Sequence, residues 1–379
     1  MSLFTWLRKA FSSRVRDRTS RAPDTGRDSG DFASVLDVSR LLTRDEDSYL
    51  SGAPLEADAS DIPLVLGNLF RAQGDIDRAV RLREKILSVT DADQALQART
   101  WFELGRDYRK AGLLDRAFNA YREARKLGYP PEALGEDLMR LHADSGDFTA
   151  AASEAALLGN EAAEAFYLVC QARESAAQGK DDQAARFIRH ALAVYGGSPE
   201  AWLALAAMSL LGGDAEKTLD HMRSGLEKAS PSARLILLEG MYSFIKGPSA
   251  PDIRADVLHA FARGMDLILD AHEPELTLCY YAGLFLHAAG MPDQAEQWYT
   301  KTLVLDPDFW AARLAILALA AGREKLPPLL HSQIAFFTEQ GAHSKRFLCP
   351  PCGLRRDTVF SQCPRCRAWH SAAFRLRLT

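Results

Sequence analysis

No stretch of the 379 residues is apolar for long enough to span a bilayer as a helix. Spanning takes about 20 consecutive apolar residues. The best run, Trp310 to Ala321, is shorter and is interrupted by Arg313. The opening MSLFTWLRKAFSSRVRDRTSR lacks the apolar centre of a secretory signal, because Arg8 and Lys9 break it. Nucleotide-binding, nucleophile-elbow and zinc-protease signatures (GxGxxG, Walker, GxSxG, HExxH) are missing in usable context, and the nine His are scattered. An enzyme reading therefore has no residues to stand on. Cysteine is scarce at six, too few and too clustered for a disulfide framework.

Neither charge dominates: 46 Lys+Arg stand against 50 Asp+Glu, a formal net charge of −4. That total hides an asymmetry. Residues 1–30 carry seven Lys/Arg against three Asp, and residues 345–379 carry eight against one. An acidic body of net charge −15 thus lies between two basic ends. The first basic end has the Arg/Ser richness of an organellar transit peptide. It also reads as a short interfacial helix in which Leu3, Phe4, Trp6, Leu7 and Phe11 would touch a membrane surface.

The body is periodic. A Gly followed five residues later by a small residue recurs as Gly74–Ala79, Gly112–Ala117, Gly146–Ala151, Gly179–Ala184, Gly213–Thr218 and Gly290–Ala295. The first five glycines are spaced by 38, 34, 33 and 34 residues, the period of tetratricopeptide (TPR) helical hairpins. A divergent repeat around Gly247 is expected to fill the 77-residue gap before Gly290. Seven residues before the glycine, small residues recur at Gly67, Gly105, Ala172, Ala206 and Gly283. Nine after it, large apolar residues recur at Tyr121, Ile188, Met222 and Tyr299. The expectation is an all-α solenoid of hairpins, with Gly67 close to Ala79 and Gly105 close to Ala117. Pro130, Pro199, Pro231 and Pro307 are expected to end second helices.

Such an array supplies a binding groove rather than chemistry. Residues one and four places after the small site face that groove: Asn68 and Arg71, then Arg106 and Arg109, with Lys110 beside them. A basic stripe in an acidic body suits an acidic or carboxylate-bearing protein segment. The alternative is a solvated face with pairs inside one repeat, such as Arg71 to Asp75.

Four of the cysteines form one pattern, Cys349-x2-Cys352-x10-Cys363-x2-Cys366. Two such knuckles can surround a tetrahedral metal, with zinc as the default and a single iron possible. Gly353 is expected to take a positive φ, and Phe347, Phe360, Trp369 and Phe374 to form a small apolar shell. The basic residues Lys345, Arg346, Arg355, Arg356, Arg365, Arg367, Arg375 and Arg377 serve either docking on the acidic helices or nucleic-acid binding, the former preferred. Cys170 and Cys279 fall on helical positions and read as small core residues.

The segments LGNLFRAQGDIDRAVRLREKIL (66–87) and ELGRDYRKAGLLDRAFNAYREA (103–124), with the terminal CPPCG…CPRCRAW, resemble the lipopolysaccharide assembly protein B (LapB, also YciM) family. The likeness covers about residues 60–379. It implies a non-enzymatic TPR adaptor on the cytoplasmic side of the inner membrane that regulates lipopolysaccharide synthesis. It implies work with the membrane protease FtsH in controlling the lipid A deacetylase LpxC. It also implies a rubredoxin-like module, held by Cys349, Cys352, Cys363 and Cys366, that packs on the repeats. The family begins with a transmembrane helix, and this sequence offers in its place only the short stretch from Leu3 to Phe11. The expected domains are a basic N-terminus and linker (1–45), a TPR solenoid (46–344) and a rubredoxin-like metal domain (345–379).

Overall fold

The computed structural model describes residues 61–88, 93–247, 250–323, 326–342, 344 and 346–376. Leu3, Phe4, Trp6, Leu7 and Phe11 lie outside the described residues, as do Lys345 and Arg377. The described helices pair into hairpins of the expected TPR kind. They fall into two compact units divided after Asn160.

Among its described residues the first unit holds three hairpins: α1 (Asp61–Gln73) with α2 (Ile76–Ser88), α3 (Gln94–Lys110) with α4 (Leu114–Lys126), and α5 (Pro131–Ser145) with α6 (Phe148–Leu157). Each first helix packs on the first helix of the next hairpin, and each second helix wedges against it. Among its described residues the second unit holds four packed hairpins, with two helices that do not pair with each other between the second and the third. The first two are α7 (Glu161–Ala177) with α8 (Asp181–Val194) and α9 (Pro199–Leu211) with α10 (Ala215–Lys228); next, α11 (Pro231–Lys246) packs on α9 and α12 (Ala255–Asp270) on α10. Then come α13 (Leu276–Ala288) with α14 (Pro292–Leu305), and α15 (Trp310–Arg323) with α16 (Pro328–Ala342). Helices α11 and α12 stand where the divergent repeat is expected around Gly247, but each packs on the helices before and after the two of them rather than on the other.

The turn chemistry explains why each hairpin closes where it does. Gly74, Gly112, Gly146, Gly179, Gly213 and Gly290 all have φ between 75° and 90°, the left-handed conformation that ends a helix and that only glycine adopts cheaply. An Asp follows several of them and starts the second helix. Asp147 accepts a hydrogen bond from the Ala150 N–H at 3.0 Å, and Asp214 from the Lys217 N–H at 2.9 Å. Gly247 is different. Its φ is −70°, and a longer connection follows before α12.

Inside the hairpins the repeat positions are core. Ala79, Ala117, Ala151, Ala184, Thr218 and Ala295 are all buried. The close approach differs from the expected one. A Cβ on Gly105 would strike the Tyr121 ring, one on Gly283 the Tyr299 ring, and one on Gly67 the guanidinium of Arg83. The small residue makes room for the large one nine places after the turn, not for the small one five after it. The prolines also act differently. Pro199 and Pro231 occupy the first turn of α9 and α11, and Pro130 precedes α5. They start first helices, where a missing N–H costs nothing, rather than ending second ones.

Candidate metal centre and its seat on the helices

Residues 347–374 build a three-stranded antiparallel sheet in the order β2-β1-β3, from β1 (Phe347–Leu348), β2 (Arg355–Arg356) and β3 (Ala373–Phe374). Two loops of matching design project from it. The Cys349 N–H donates to the Leu354 carbonyl at 2.8 Å, and the Cys363 N–H to the Ala368 carbonyl at 2.9 Å. The Gly353 N–H returns to the Cys349 carbonyl at 2.8 Å, and the Arg367 N–H to the Cys363 carbonyl at 2.9 Å. Gly353 has φ 70°, as the sequence suggests, and Arg367 has φ 66° at the equivalent place. A side chain in that conformation costs about 1–2 kcal/mol, so the second knuckle is held against a strain that the first avoids.

The two knuckles bring the four sulfurs of Cys349, Cys352, Cys363 and Cys366 within 4.8 Å of one another. Cys349 Sγ is 3.5 Å from Cys366 Sγ, and Cys352 Sγ is 3.6 Å from Cys363 Sγ. A tetrahedron of 2.3 Å metal–sulfur bonds has edges of about 3.8 Å. The donor set fits a tetrahedral thiophilic metal ion and leaves no protein-supplied open position. Burial pushes the Cys349 thiol up to about 12. Burial also opposes ionisation of Cys363, but the backbone N–H groups of Cys366 and Arg365 outweigh it and bring that thiol down to about 7. Backbone dipoles thus already favour thiolate in the second knuckle, and a bound cation would displace to solvent the protons held by the rest. Ser371 Oγ lies 3.3 Å from Cys349 Sγ. Cys349 and Cys363 are buried, while Cys366 is exposed.

The module is not a free appendage, since its core is continuous with that of the second unit. Phe374 of β3 packs edge-on against Tyr280 of α13 at 5.5 Å between ring centres, and Phe309 is 5.2 Å away. Phe347 and Phe360 are buried as expected. Trp369 instead leaves the module and meets Phe166 of α7 at 5.3 Å. The Trp310 indole N–H donates to the Arg375 carbonyl at 3.0 Å.

Two buried carboxylates of the helices complete the seat. Glu239 of α11 accepts from Tyr281 Oη at 2.7 Å and from Arg346 at 3.2 Å. Glu200 of α9 faces His370 Nε2 at 3.3 Å from both its oxygens, with the His370 ring stacked on Tyr195. Docking by the basic residues as a group is not what the structure shows. Arg346 engages a helix carboxylate, whereas Arg355, Arg356, Arg365 and Arg367 are exposed on the module. Aromatic packing and two specific carboxylates do the work assigned to bulk charge. Neither Glu was singled out in the sequence. The readable signal was an acid embedded in an apolar helix, as in ILLEGMY for Glu239.

In the first unit, the groove residues form a ladder between repeats. Arg71 reaches Glu103 at 2.7 Å and Asp107 at 2.9 Å in the next hairpin. Arg106 reaches Asp137 at 2.6 Å, and Arg109 reaches Asp144 at 2.6 Å. Asn68 Oδ1 accepts from Arg71 at 2.9 Å and from Arg83 at 2.6 Å. Asp75 pairs with Arg78, not with Arg71. Lys110 is exposed. Cys170 and Cys279 are buried core, as read.

A family model described as tetratricopeptide repeat matches residues 64–96. The chain is 21% identical to "Lipopolysaccharide assembly protein B" of Escherichia coli (strain K12), across 95% of this chain and 92% of that protein. The protein of the same name from Haemophilus influenzae (strain ATCC 51907 / DSM 11121 / KW20 / Rd) is 24% identical across 81% of this chain and 77% of its own. A solved tetratricopeptide repeat protein from Parabacteroides merdae ATCC 43184 aligns at TM-score 0.35 and 16% identity, covering 69% of this chain and 99% of that one.

Proposed function

We propose, starting from a similarity to lipopolysaccharide assembly protein B that runs along 95% of the chain, that this protein is a non-catalytic TPR adaptor in lipopolysaccharide assembly. The observation that carries the reading is the combination along one chain. TPR hairpins and a terminal four-cysteine module occur together, and the module shares one core with the helices of the second unit. Repeats alone would support only a protein-interaction role.

In this reading the partners are an envelope-biosynthesis enzyme and a membrane protease: the deacetylase LpxC and FtsH. The adaptor works at the cytoplasmic face of the inner membrane. Among the described residues no helix is long and apolar enough to cross a membrane, so in this proposal contact with the bilayer falls to the segment around Leu3, Phe4, Trp6, Leu7 and Phe11. Zinc is the ion proposed for Cys349, Cys352, Cys363 and Cys366, because a closed tetrahedral thiolate shell is its structural site. The ion's role is to hold the two knuckles in register. The groove residues Asn68, Arg71, Arg106, Arg109 and Lys110 are proposed as the partner-facing stripe. An acidic segment binding there would exchange with carboxylates already on those arginines, and Lys110 is its exposed cation.

The test is the lifetime of the deacetylase in cells of the source organism with and without this protein, together with capture of both partners on the full-length chain. The reading expects the lifetime to change several-fold and both proteins to be retained. An unchanged lifetime with neither protein captured sinks it and leaves a general TPR interaction module.

A further inference from the structure

The last helix departs from what an array end requires. Terminal repeats of a solenoid carry a polar outer face, because no further hairpin covers them. Helix α16 does the reverse. Leu329 is 74% exposed, Leu330 48%, Phe336 53% and Phe337 58%. Its attachment is narrow: Ile334 and Thr338 are half-buried, and Gly341 lies so close to Leu314 of α15 that a Cβ there would strike it. The chain then continues into the metal module, which seats on α7, α9, α11, α13 and α15, so α16 keeps its apolar side open.

We propose that this face of α16 is a homodimer interface, covered by α16 of a second copy of the chain. Three observations select that occupant. The first is size. A freely exposed Leu or Phe presents on the order of 200 Å², so the four side chains offer about 450 Å² of apolar surface. That is more than half of the roughly 800 Å² each partner gives to a standard interface, and contiguous apolar patches of this extent mark contact sites. The second is charge. Glu339 is the one formally charged residue between Pro328 and Ala342. An anionic bilayer would select a helix with Lys or Arg along its polar side, and this helix has none. Two copies related by a two-fold axis can meet here with no cluster of like charge, and such isologous pairing is the commonest assembly in soluble proteins. The third is anchor chemistry. Phe336 and Phe337 sit side by side at 5.6 Å between ring centres, an aromatic pair of the kind that dominates interface cores. The α15/α16 pair presents to solvent the side that, earlier in the second unit, the next helices cover, and a second copy supplies that successor.

Sedimentation equilibrium of the full-length, metal-loaded chain tests this, with Phe336→Ser and Leu329→Ser made separately. Circular dichroism and metal content, unchanged in both variants, exclude unfolding. Leu267→Ser on α12, another 74%-exposed leucine, is the control. The proposal expects a dimer for the parent and the control, and at least a tenfold weaker dimer for each α16 variant. A parent that stays monomeric at tens of micromolar overturns it, with or without binding to anionic vesicles. So does a dimer indifferent to both α16 substitutions.

Discussion

Glu200 and His370 lie 170 positions apart in sequence and meet at 3.3 Å in a buried site, joining the first turn of α9 to the end of the second knuckle. Burial by itself would raise the Glu200 carboxyl. The hydrogen bond and charge of His370 outweigh it, and the group is held below its usual 4.5. A carboxyl lowered in the folded state contributes stability that is fully present above its unfolded value and is lost as pH falls through the folded one. The seat of the module should therefore weaken progressively below about pH 4.5. Glu200→Gln should destabilise the chain by about 1–3 kcal/mol at pH 7. Thermal unfolding of both proteins from pH 7 to pH 3.5 checks this. The gap between them should narrow on acidification, and a constant gap contradicts the pairing. Acid release of a bound metal is common to both chains and cancels in the difference.

A second pair stands in the first hairpins. Arg83 and Asp107 are both fully buried and 3.0 Å apart, with Arg71 on the other oxygen of the same carboxylate. Arg83 occupies the place filled by Tyr121 and Tyr299 in other repeats, nine residues after the turn. Asp107→Ala would leave the buried Arg83 guanidinium with only the more distant Glu103, at 3.9 Å, as counter-charge and should cost about 3–5 kcal/mol. Arg83→Tyr with Asp107→Ala restores the tyrosine solution of the neighbouring repeats and should recover at least half of that loss. Urea unfolding of the parent, Asp107→Ala and the double variant decides it. A double variant no more stable than the single one would show that the ring does not fit over Gly67.

The glycines divide into two physical kinds, which substitution separates. Gly283 is helical, and an added Cβ would come within 2.5 Å of the Tyr299 ring, which is itself fully buried. Gly283→Ala should cost about 1–3 kcal/mol through overpacking. At Gly112 nothing lies within 4 Å of an added Cβ, but φ is 78°. Gly112→Ala should cost about 1 kcal/mol through backbone strain alone. Substituting Asn, which tolerates that conformation, should recover part of the loss at Gly112 and none at Gly283. Melting temperatures of the four variants are the measurement.

Most of the hairpin register was legible because turn chemistry is local. A left-handed glycine followed by an Asp cap is written in six consecutive residues, and it marks the turns at Gly74, Gly146 and Gly213 directly. The four ligands were legible for the same reason, since each knuckle closes within five residues. What could not be read were partnerships across long separations. Tyr121 fills the space over Gly105, and Arg71 crosses to Asp107 rather than turning back to Asp75. Glu239 waits for Arg346 over a hundred residues away. Charge counting by segment suggested the right association, acidic helices with a basic end, through the wrong contacts. A net charge says nothing about which few side chains are desolvated, and those decide the seat.

The module and the helices share one core, so removing a ligand should disturb both. A segment of about 30 residues buries too little apolar surface to fold alone, and a closed metal shell supplies the missing free energy. Cys349→Ser and Cys363→Ser each remove one thiolate from that shell. The expected result is loss of the bound metal, from one zinc per chain in the parent to none, and proteolytic cleavage within 345–379. The consequence extends to the helices, because Phe374 covers Tyr280 and Phe309. Its departure should uncover an aromatic cluster, raise the binding of a hydrophobic dye and lower the melting temperature of the helices themselves. Chelation of the parent should reproduce all three changes and metal readdition reverse them. If either Ser variant keeps 345–379 protected from protease, the metal does not hold the module on its seat.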